Sequence, residues 1–261
     1  MVNDSLRHST SHDSLFSASS DDGQQASGKV AALTPPPISG LLFLPDLLSS
    51  ATEQRLISQL DSCYPLDRST ADTSNQFMLF GRAKEGHDGS ASSGLPGWAD
   101  ELVCELECLL EGKLDEKTMS LFFPLRSQRS SALQPCRSRQ LIINHYLPSQ
   151  GITPHIDLPA RFGDGILLCS LRSGIAMDFQ RKDEKFTLWL PPRSVVILSG
   201  EARWDWEHGI AAREGDWVAC DEGPEWVARQ TRTSVTIRWL LPGADVVGSM
   251  EIDDDDEGSI A

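Results

Sequence analysis

Apolar positions change texture partway along this 261-residue chain. In the first half they recur at helical spacing. Leu56, Ile57 and Leu60 give one apolar face to a helix over residues 51–60, and positions 98, 102, 106, 109 and 110 do the same for a helix over 98–111, introduced by Pro96 and Gly97. Two short apolar runs, 40–44 and 76–81, read as strands, and the Gly-, Ser- and charge-rich stretch 82–94 reads as a loop. A second polar, basic and Pro-containing loop is predicted over 125–139. From Gln140 onward the runs become short, β-branched or aromatic, and are split by Gly and Pro. Residues 141–146, 165–171, 176–179, 186–190, 195–199 and 234–240 are the predicted strands. Two helices followed by many short strands predict an α+β chain with a β-sandwich or jelly-roll core and N-terminal flanking helices.

The ends have a different composition. Residues 1–38 are rich in Ser, Asp and Gln and run into Thr34-Pro35-Pro36-Pro37, which predicts a disordered tail. Residues 249–261 form an acidic tail, so the folded domain is expected over 39–248. The N-terminal tail holds His8 and His12 at helical spacing, but a segment too polar to hold a helix gives that spacing no meaning.

Composition narrows the function. Hydrophobic residues make up 39% and charged residues 23%, a globular balance. No apolar run approaches the roughly 18 residues of a membrane span. The first thirty residues have no apolar signal core and carry Asp4, Asp13, Asp21 and Asp22, against an import signal. A protein of the cytosol or nucleus is the expectation. Net charge is −15, with six carboxylates between Glu251 and Glu257. Such a chain has no broad phosphate-binding face; nucleic acid would be met by a local patch, and the cluster Arg126, Arg129, Arg137 and Arg139 is the candidate. The acidic tails suit a protein partner, and a monomer is expected. The six cysteines include no CxxC pair and read as reduced thiols, with Cys104 and Cys108 as small residues on a helix.

The first chemical signal is His155-Ile156-Asp157. On an extended segment, residues two apart project to the same side, so an imidazole and a carboxylate enter one interior together. A third ligand from a facing strand would complete a two-His, one-carboxylate set with open coordination positions. His208 is the candidate, with His145 and His87 as alternatives. The second signal is Arg232 and Arg238, six residues apart on one strand and therefore on one face. Val235, Ile237, Trp239 and Leu240 mark that strand as buried. Two inward arginines are costly without an anion, and a dicarboxylate would supply one. Asn144 and Tyr146 share a face of another strand and offer neutral donors to the same ligand.

In order along the chain, Asn144-His-Tyr146, Gln150-Gly-Ile-Thr-Pro154-His155-Ile-Asp157, Met177-Asp178-Phe179, Gly200-Glu-Ala-Arg203, His208-Gly-Ile210, and Arg232 with Ser234 and Arg238 resemble the motifs of the AlkB family of Fe(II)- and 2-oxoglutarate-dependent dioxygenases. The resemblance covers about residues 40–242. It is densest from Gln140 to Ile210, and there looks most like the members that hydroxylate wobble uridine in tRNA, although the RNA-recognition and methyltransferase modules fused to those members have no counterpart in this sequence. It implies a double-stranded β-helix, with Fe(II) on His155, Asp157 and His208, and 2-oxoglutarate on Asn144, Tyr146, Arg232 and Arg238. Dioxygen is the oxidant. A modified nucleobase, in tRNA or another single-stranded or flipped-out form, is the implied substrate. Residues 76–81 and the loop after them resemble the family's nucleotide-recognition lid, which makes Phe77, Phe80, Arg82 and Trp98 the expected substrate contacts. The same scaffold also serves protein hydroxylases and demethylases, and a catalytically silent binding module is the remaining class.

Overall fold

The computed structural model describes residues 29–66, 75–81, 84–85, 91–92, 94–123, 138–242 and 244. In chain order come β1 (Val30–Ala31), β2 (Leu41–Leu44), α1 (Ser50–Cys63), β3 (Gln76–Gly81), β4 (Lys84–Glu85), β5 (Ala91–Ser92), α2 (Gly97–Leu110) and α3 (Glu116–Phe122). The second half holds β6 (Arg139–Tyr146), β7 (Ile152–His155), β8 (Phe162–Leu171), β9 (Ile175–Arg181), β10 (Glu184–Leu190), β11 (Val195–Leu198), α4 (Glu201–Trp204), β12 (Glu207–Ile210), β13 (Gly215–Val218), β14 (Glu225–Ala228) and β15 (Arg232–Leu240).

Two of the helices, α1 and α3, start where a side chain can satisfy their open backbone donors. Ser49 caps α1, its hydroxyl accepting from the Thr52 amide at 3.0 Å, so the helix begins just ahead of the apolar periodicity. Asp115 caps α3 in the same way at 2.9 Å. That helix is too short for its periodicity to be read from sequence. The predicted loop 82–94 contains a small antiparallel ladder between β4 and β5.

Two sheets carry the fold. The larger runs β2-β11-β8-β15-β6-β3 and the smaller β10-β9-β12-β7, and every pairing within them is antiparallel. From β6 to β12 the chain passes back and forth between the sheets, apart from the β9–β10 hairpin within the smaller one, and β15 returns to the larger, the winding of a double-stranded β-helix. Strand parity then sorts the side chains. From the larger sheet, Leu141, Ile143, Leu167, Cys169, Leu171, Val195, Ile197, Val235 and Ile237 pack outward against Leu56 and Leu60 of α1 and Leu102, Leu106 and Leu110 of α2. Tyr146, Ile166, Leu168, Val196 and Leu198 point the other way and meet Ile175, Met177, Phe179, Leu188 and Leu190 of the smaller sheet. Because both faces of the larger sheet are covered, its strands read as nearly continuous apolar runs.

The fold begins before residue 39. β1 pairs in parallel with β13, and Ala32 exchanges backbone hydrogen bonds with Thr187 and Trp189, both at 2.9 Å. Ala31 and Ile38 are buried. Backbone bonds dock this segment, and composition does not register them. Residues 1–28 and 245–261 lie outside the described residues. Among the described residues no helix is long and apolar enough to cross a membrane.

Candidate active site

A cavity of about 160 Å³ opens between the two sheets, where β3 and β7 form their edges. His155, the last residue of β7, is paired in register with His208 on β12, and the two imidazole centroids are 4.6 Å apart. His155 lines the cavity and its Nδ1 donates to the Thr153 carbonyl at 2.8 Å, which leaves Nε2 as the ring nitrogen open to a metal. His208 is buried, and burial lowers its pKa to about 4, so it stands as a neutral imidazole. Asp157 follows just beyond the strand and lines the same cavity. Burial pushes its carboxyl up, but Arg238, His208 and His155 outweigh burial and hold it below the usual carboxylate range.

The Asp157 carboxylate is drawn onto Arg238, and among the described residues no three His, Cys, Asp or Glu side chains converge on one point. Arg238 is fixed from two further sides: its Nε donates to Gln140 Oε1 at 2.7 Å and its guanidinium lies 3.5 Å from the Phe162 ring centroid. Arg203 on α4 escaped the sequence reading as a site residue. It is 1% exposed and donates to the carbonyls of Asp157 at 2.9 Å and of Gly163 and Phe162 at 3.3 Å, fixing the turn that presents Asp157. Its signal was a basic residue within the short Gly200–Arg203 motif ahead of His208.

Deeper in the cavity, Arg232 is 1% exposed. Its Nη2 donates to Ser170 Oγ at 2.8 Å and its guanidinium stands 5.4 Å from the Tyr146 ring centroid. Its Nε has no partner, and among the described residues no carboxylate pairs with it. Burial lowers its pKa to about 10, so it remains a cation at neutral pH. Tyr146 hydrogen-bonds Ser234, and Asn144 Oδ1 accepts from Gln76 Nε2 at 2.8 Å. Asn144, Tyr146, Arg232 and Arg238 thus all reach the cavity that His155, Asp157 and His208 enter.

The expected substrate contacts divide differently. Phe77 points away from the cavity into the helix-side core, with Tyr64 at 5.3 Å and His145 at 6.0 Å between ring centroids. Trp98 is buried in that same core on α2. Both are packing residues, a correction imposed by strand and helix facing. Phe80 is 47% exposed on the opposite face of β3, and Arg82 lies outside the described residues. Met78, two residues before Phe80, and Leu158 line the cavity at its exposed rim, where the sequence reading had placed neither. Register decides this: β3 pairs Gln76 with Asn144 and Met78 with Ile142, so the even positions of β3 share the cavity face. Of the alternative third ligands, His145 faces the helices and His87 lies outside the described residues.

The chain matches the model of the 2OG-Fe(II) oxygenase superfamily over residues 40–238. It is 38% identical over 130 residues to the tRNA (carboxymethyluridine(34)-5-O)-methyltransferase alkbh8 of Xenopus tropicalis, covering 42% of this chain and 21% of that protein. With the Mus musculus protein of the same name it shares 32% identity over 184 residues, 70% of this chain and 26% of the relative. The chain therefore spans about a quarter of the length of these relatives. The structure of OsALKBH1 aligns with a TM-score of 0.48 and 16% identity, over 79% of this chain and 99% of that one. The superfamily match runs from the first strand of the larger sheet to Arg238 and takes in every residue of the cavity, and the chain accordingly belongs to the 2OG-Fe(II) oxygenase superfamily.

Proposed function

We propose that this chain is a dioxygenase that oxidises a modified nucleobase in tRNA or another nucleic acid, with Fe(II) held by His155, Asp157 and His208 and 2-oxoglutarate held through Arg232. The observation that carries the reading is Arg232, a buried cation with an unpartnered Nε in the cavity that the three ligand candidates share. A buried guanidinium without an acid is costly, and a carboxylate of the cosubstrate is the anion that fits it. The donor set fits the metal as well: two imidazoles paired across β7 and β12, that of His208 kept neutral, and one carboxylate kept ionised. When bound, the iron and 2-oxoglutarate couple reduction of dioxygen and release of succinate and CO2 to hydroxylation of a C–H bond.

The chain's own groups define where that happens. Arg232 orients the distal carboxylate, and Tyr146 and Asn144 border it with neutral polar atoms. Arg238 and Arg203 hold the Asp157 side chain and backbone, respectively. Ile152, Ile210 and Leu168 keep the walls apolar and limit water. Met78 and Leu158 offer apolar edges at the mouth, and Phe80 stands exposed beside them. The tRNA-directed names of the ALKBH8 relatives support a nucleobase as the target. Methyl transfer, also in those names, is not proposed, because the matched region is an oxygenase.

The test measures Fe(II)-dependent succinate formation with tRNA, alkylated single-stranded DNA and peptides as stimulants. Stimulation by tRNA or DNA is expected. Formaldehyde release marks an N-methyl target, and its absence marks a retained hydroxyl. Stimulation by peptides alone would make the chain a protein hydroxylase and end the nucleobase reading.

A further inference from the structure

We propose that Arg229 and Asp216 form a clamp that sets the spacing of His155 and His208, which makes them positioning residues of the metal centre; this rests on the reading of those histidines as iron ligands. β7 is the edge of the smaller sheet and has β12 as its neighbour there. The two strands share the register points His208↔His155 and Ile210↔Ile152, with an irregularity between them. Their backbones lie very close: a Cβ on Gly151 would stand 2.2 Å from the Ile210 carbonyl oxygen, and one on Gly209 would stand 2.8 Å from Pro154. A short edge strand with an irregular ladder needs fixing at both ends if its last residue is to ligate a metal.

At the His155 end, Arg203 and Arg238 hold Asp157. At the other end the fixing group is Arg229, which is 6% exposed. Its Nη1 donates to the Ala211 carbonyl at 2.7 Å and reaches the Gln150 carbonyl at 3.4 Å. One guanidinium nitrogen thus ties the residue after β12 to the loop just before β7. Asp216 of β13, fully buried, grips Arg229 with both oxygens: Nε to Oδ2 at 2.8 Å and Nη2 to Oδ1 at 3.0 Å. The same carboxylate accepts from the Ala176 amide of β9 at 3.2 Å and from Arg213 Nε at 2.7 Å. Strands β7, β9 and β12 are thereby referred to one buried carboxylate. Bidentate geometry makes the reference directional, which a lysine cannot reproduce. Metal–ligand distances keep to within about 0.2 Å of their reference values, so loosening this end should be felt at the metal before it is felt elsewhere.

The experiment titrates Co(II), as a spectroscopic stand-in for Fe(II), into the full chain and follows its visible absorption. Arg229→Gln should weaken Co(II) binding roughly 10- to 100-fold, the range for groups that orient metal ligands. Arg229→Lys should recover part of that loss, and the 2-oxoglutarate requirement at saturating metal should stay within about twofold of wild type, because Arg232 is untouched. Arg172→Gln is the control: it removes a guanidinium that bonds Asp61 and Thr233 on the helix side, and should lower the melting temperature while leaving Co(II) affinity unchanged. If Arg229→Gln is destabilised like the control yet binds Co(II) as wild type does, the clamp is structural only and the inference is wrong. Should Arg229→Gln fail to fold, Arg229→Lys and Asp216→Asn decide by the same readout. His155→Ala separates the two readings. Unchanged Co(II) binding there refutes the ligand assignment itself, whereas its loss alongside normal binding by the Arg229 variants refutes only the clamp.

Discussion

Arg232 concentrates the energetics of the site in one side chain. It holds a desolvated positive charge with one polar bond, to Ser170, and without cosubstrate that charge destabilises the protein. Arg232→Met should therefore melt at or above the wild-type temperature in the absence of 2-oxoglutarate. Added 2-oxoglutarate with metal should raise the melting temperature of wild type only. In turnover, Arg232→Ala should raise the 2-oxoglutarate requirement roughly 10- to 100-fold, since hydrogen bonds to charged groups contribute about 1.5–3 kcal/mol, and Arg232→Lys should recover part of it. An unchanged requirement would move the carboxylate elsewhere. Asp157→Ala removes one of three candidate ligands and frees Arg238, so metal-dependent succinate formation should disappear; wild-type rates would dismiss the triad. Alternation along one strand was enough to bring Arg232 and Arg238 to a common face from sequence. It was not enough for Phe77, because the face that an isolated strand turns to the cavity depends on its register with a neighbour, here Gln76 opposite Asn144.

Among the elements, the end of α1 is tied to the larger sheet by one buried relay. Arg172 Nε donates to Thr233 Oγ1 at 3.0 Å, Thr233 bonds His145 Nδ1 at 2.8 Å, and His145 Nε2 donates to the Tyr64 carbonyl at 2.9 Å. With Nε2 protonated, Nδ1 accepts and the imidazole is neutral. Burial, joined by Arg172 and opposed by the Tyr64 carbonyl and Asp61, lowers its pKa below 6.5. A histidine depressed in the folded state takes up its proton more readily when unfolded. Its contribution is therefore complete above about pH 6.5 and is lost as pH falls toward the folded value. His145→Gln should remove that part of the slope: urea midpoints of wild type and variant should converge as pH drops from 7.5 to 5.5. Parallel pH profiles would show that His145 does not titrate in this window. His208 is present in both proteins and cancels. The long strands and both long helices were legible because their apolar runs exceed a turn or a ladder. β7 and β12 to β14 were not, because polar, Gly or Pro residues interrupt their four positions where the equally short β2 and β11 are wholly apolar, and neither was α3; a ligand-bearing strand such as Ile152–His155 is identified by its partner, not by its composition.

At the scale of the whole molecule, the docking of Val30 and Ala31 shows how a polar, Pro-ending segment becomes part of a fold through main-chain bonds and a few buried side chains, Ala31 and Ile38 among them. Charge is the other global property, and it bears on the proposed substrate. A net −15 opposes a polyanion, and six of the carboxylates sit together between Glu251 and Glu257. The sequence cluster of Arg126, Arg129, Arg137 and Arg139 is the candidate counterweight, but Arg139 is already committed: it stacks 4.1 Å from the Trp239 ring centroid and donates to the Phe122 carbonyl at 2.9 Å. Arg126, Arg129 and Arg137, which lie outside the described residues, are left as the phosphate candidates. If the acidic tail competes with nucleic acid for them, removing residues 251–261 should tighten binding of a single-stranded RNA oligonucleotide measured by fluorescence anisotropy. The gain should shrink as salt rises, because the tail acts through screened charge. Charge reversal of Arg126, Arg129 and Arg137 to Glu should weaken binding in both the full chain and the truncated one. It should also flatten the dependence of log affinity on log salt, by roughly 0.7 for each single-strand phosphate that is no longer neutralised. Reversal at Arg139 is excluded from the set, since it would cost packing against Trp239 as well as charge. Equal affinities for the full and truncated chains at every salt concentration would show that the tail does not screen the patch. Unchanged binding by the triple reversal would place the phosphate-binding groups elsewhere on the surface.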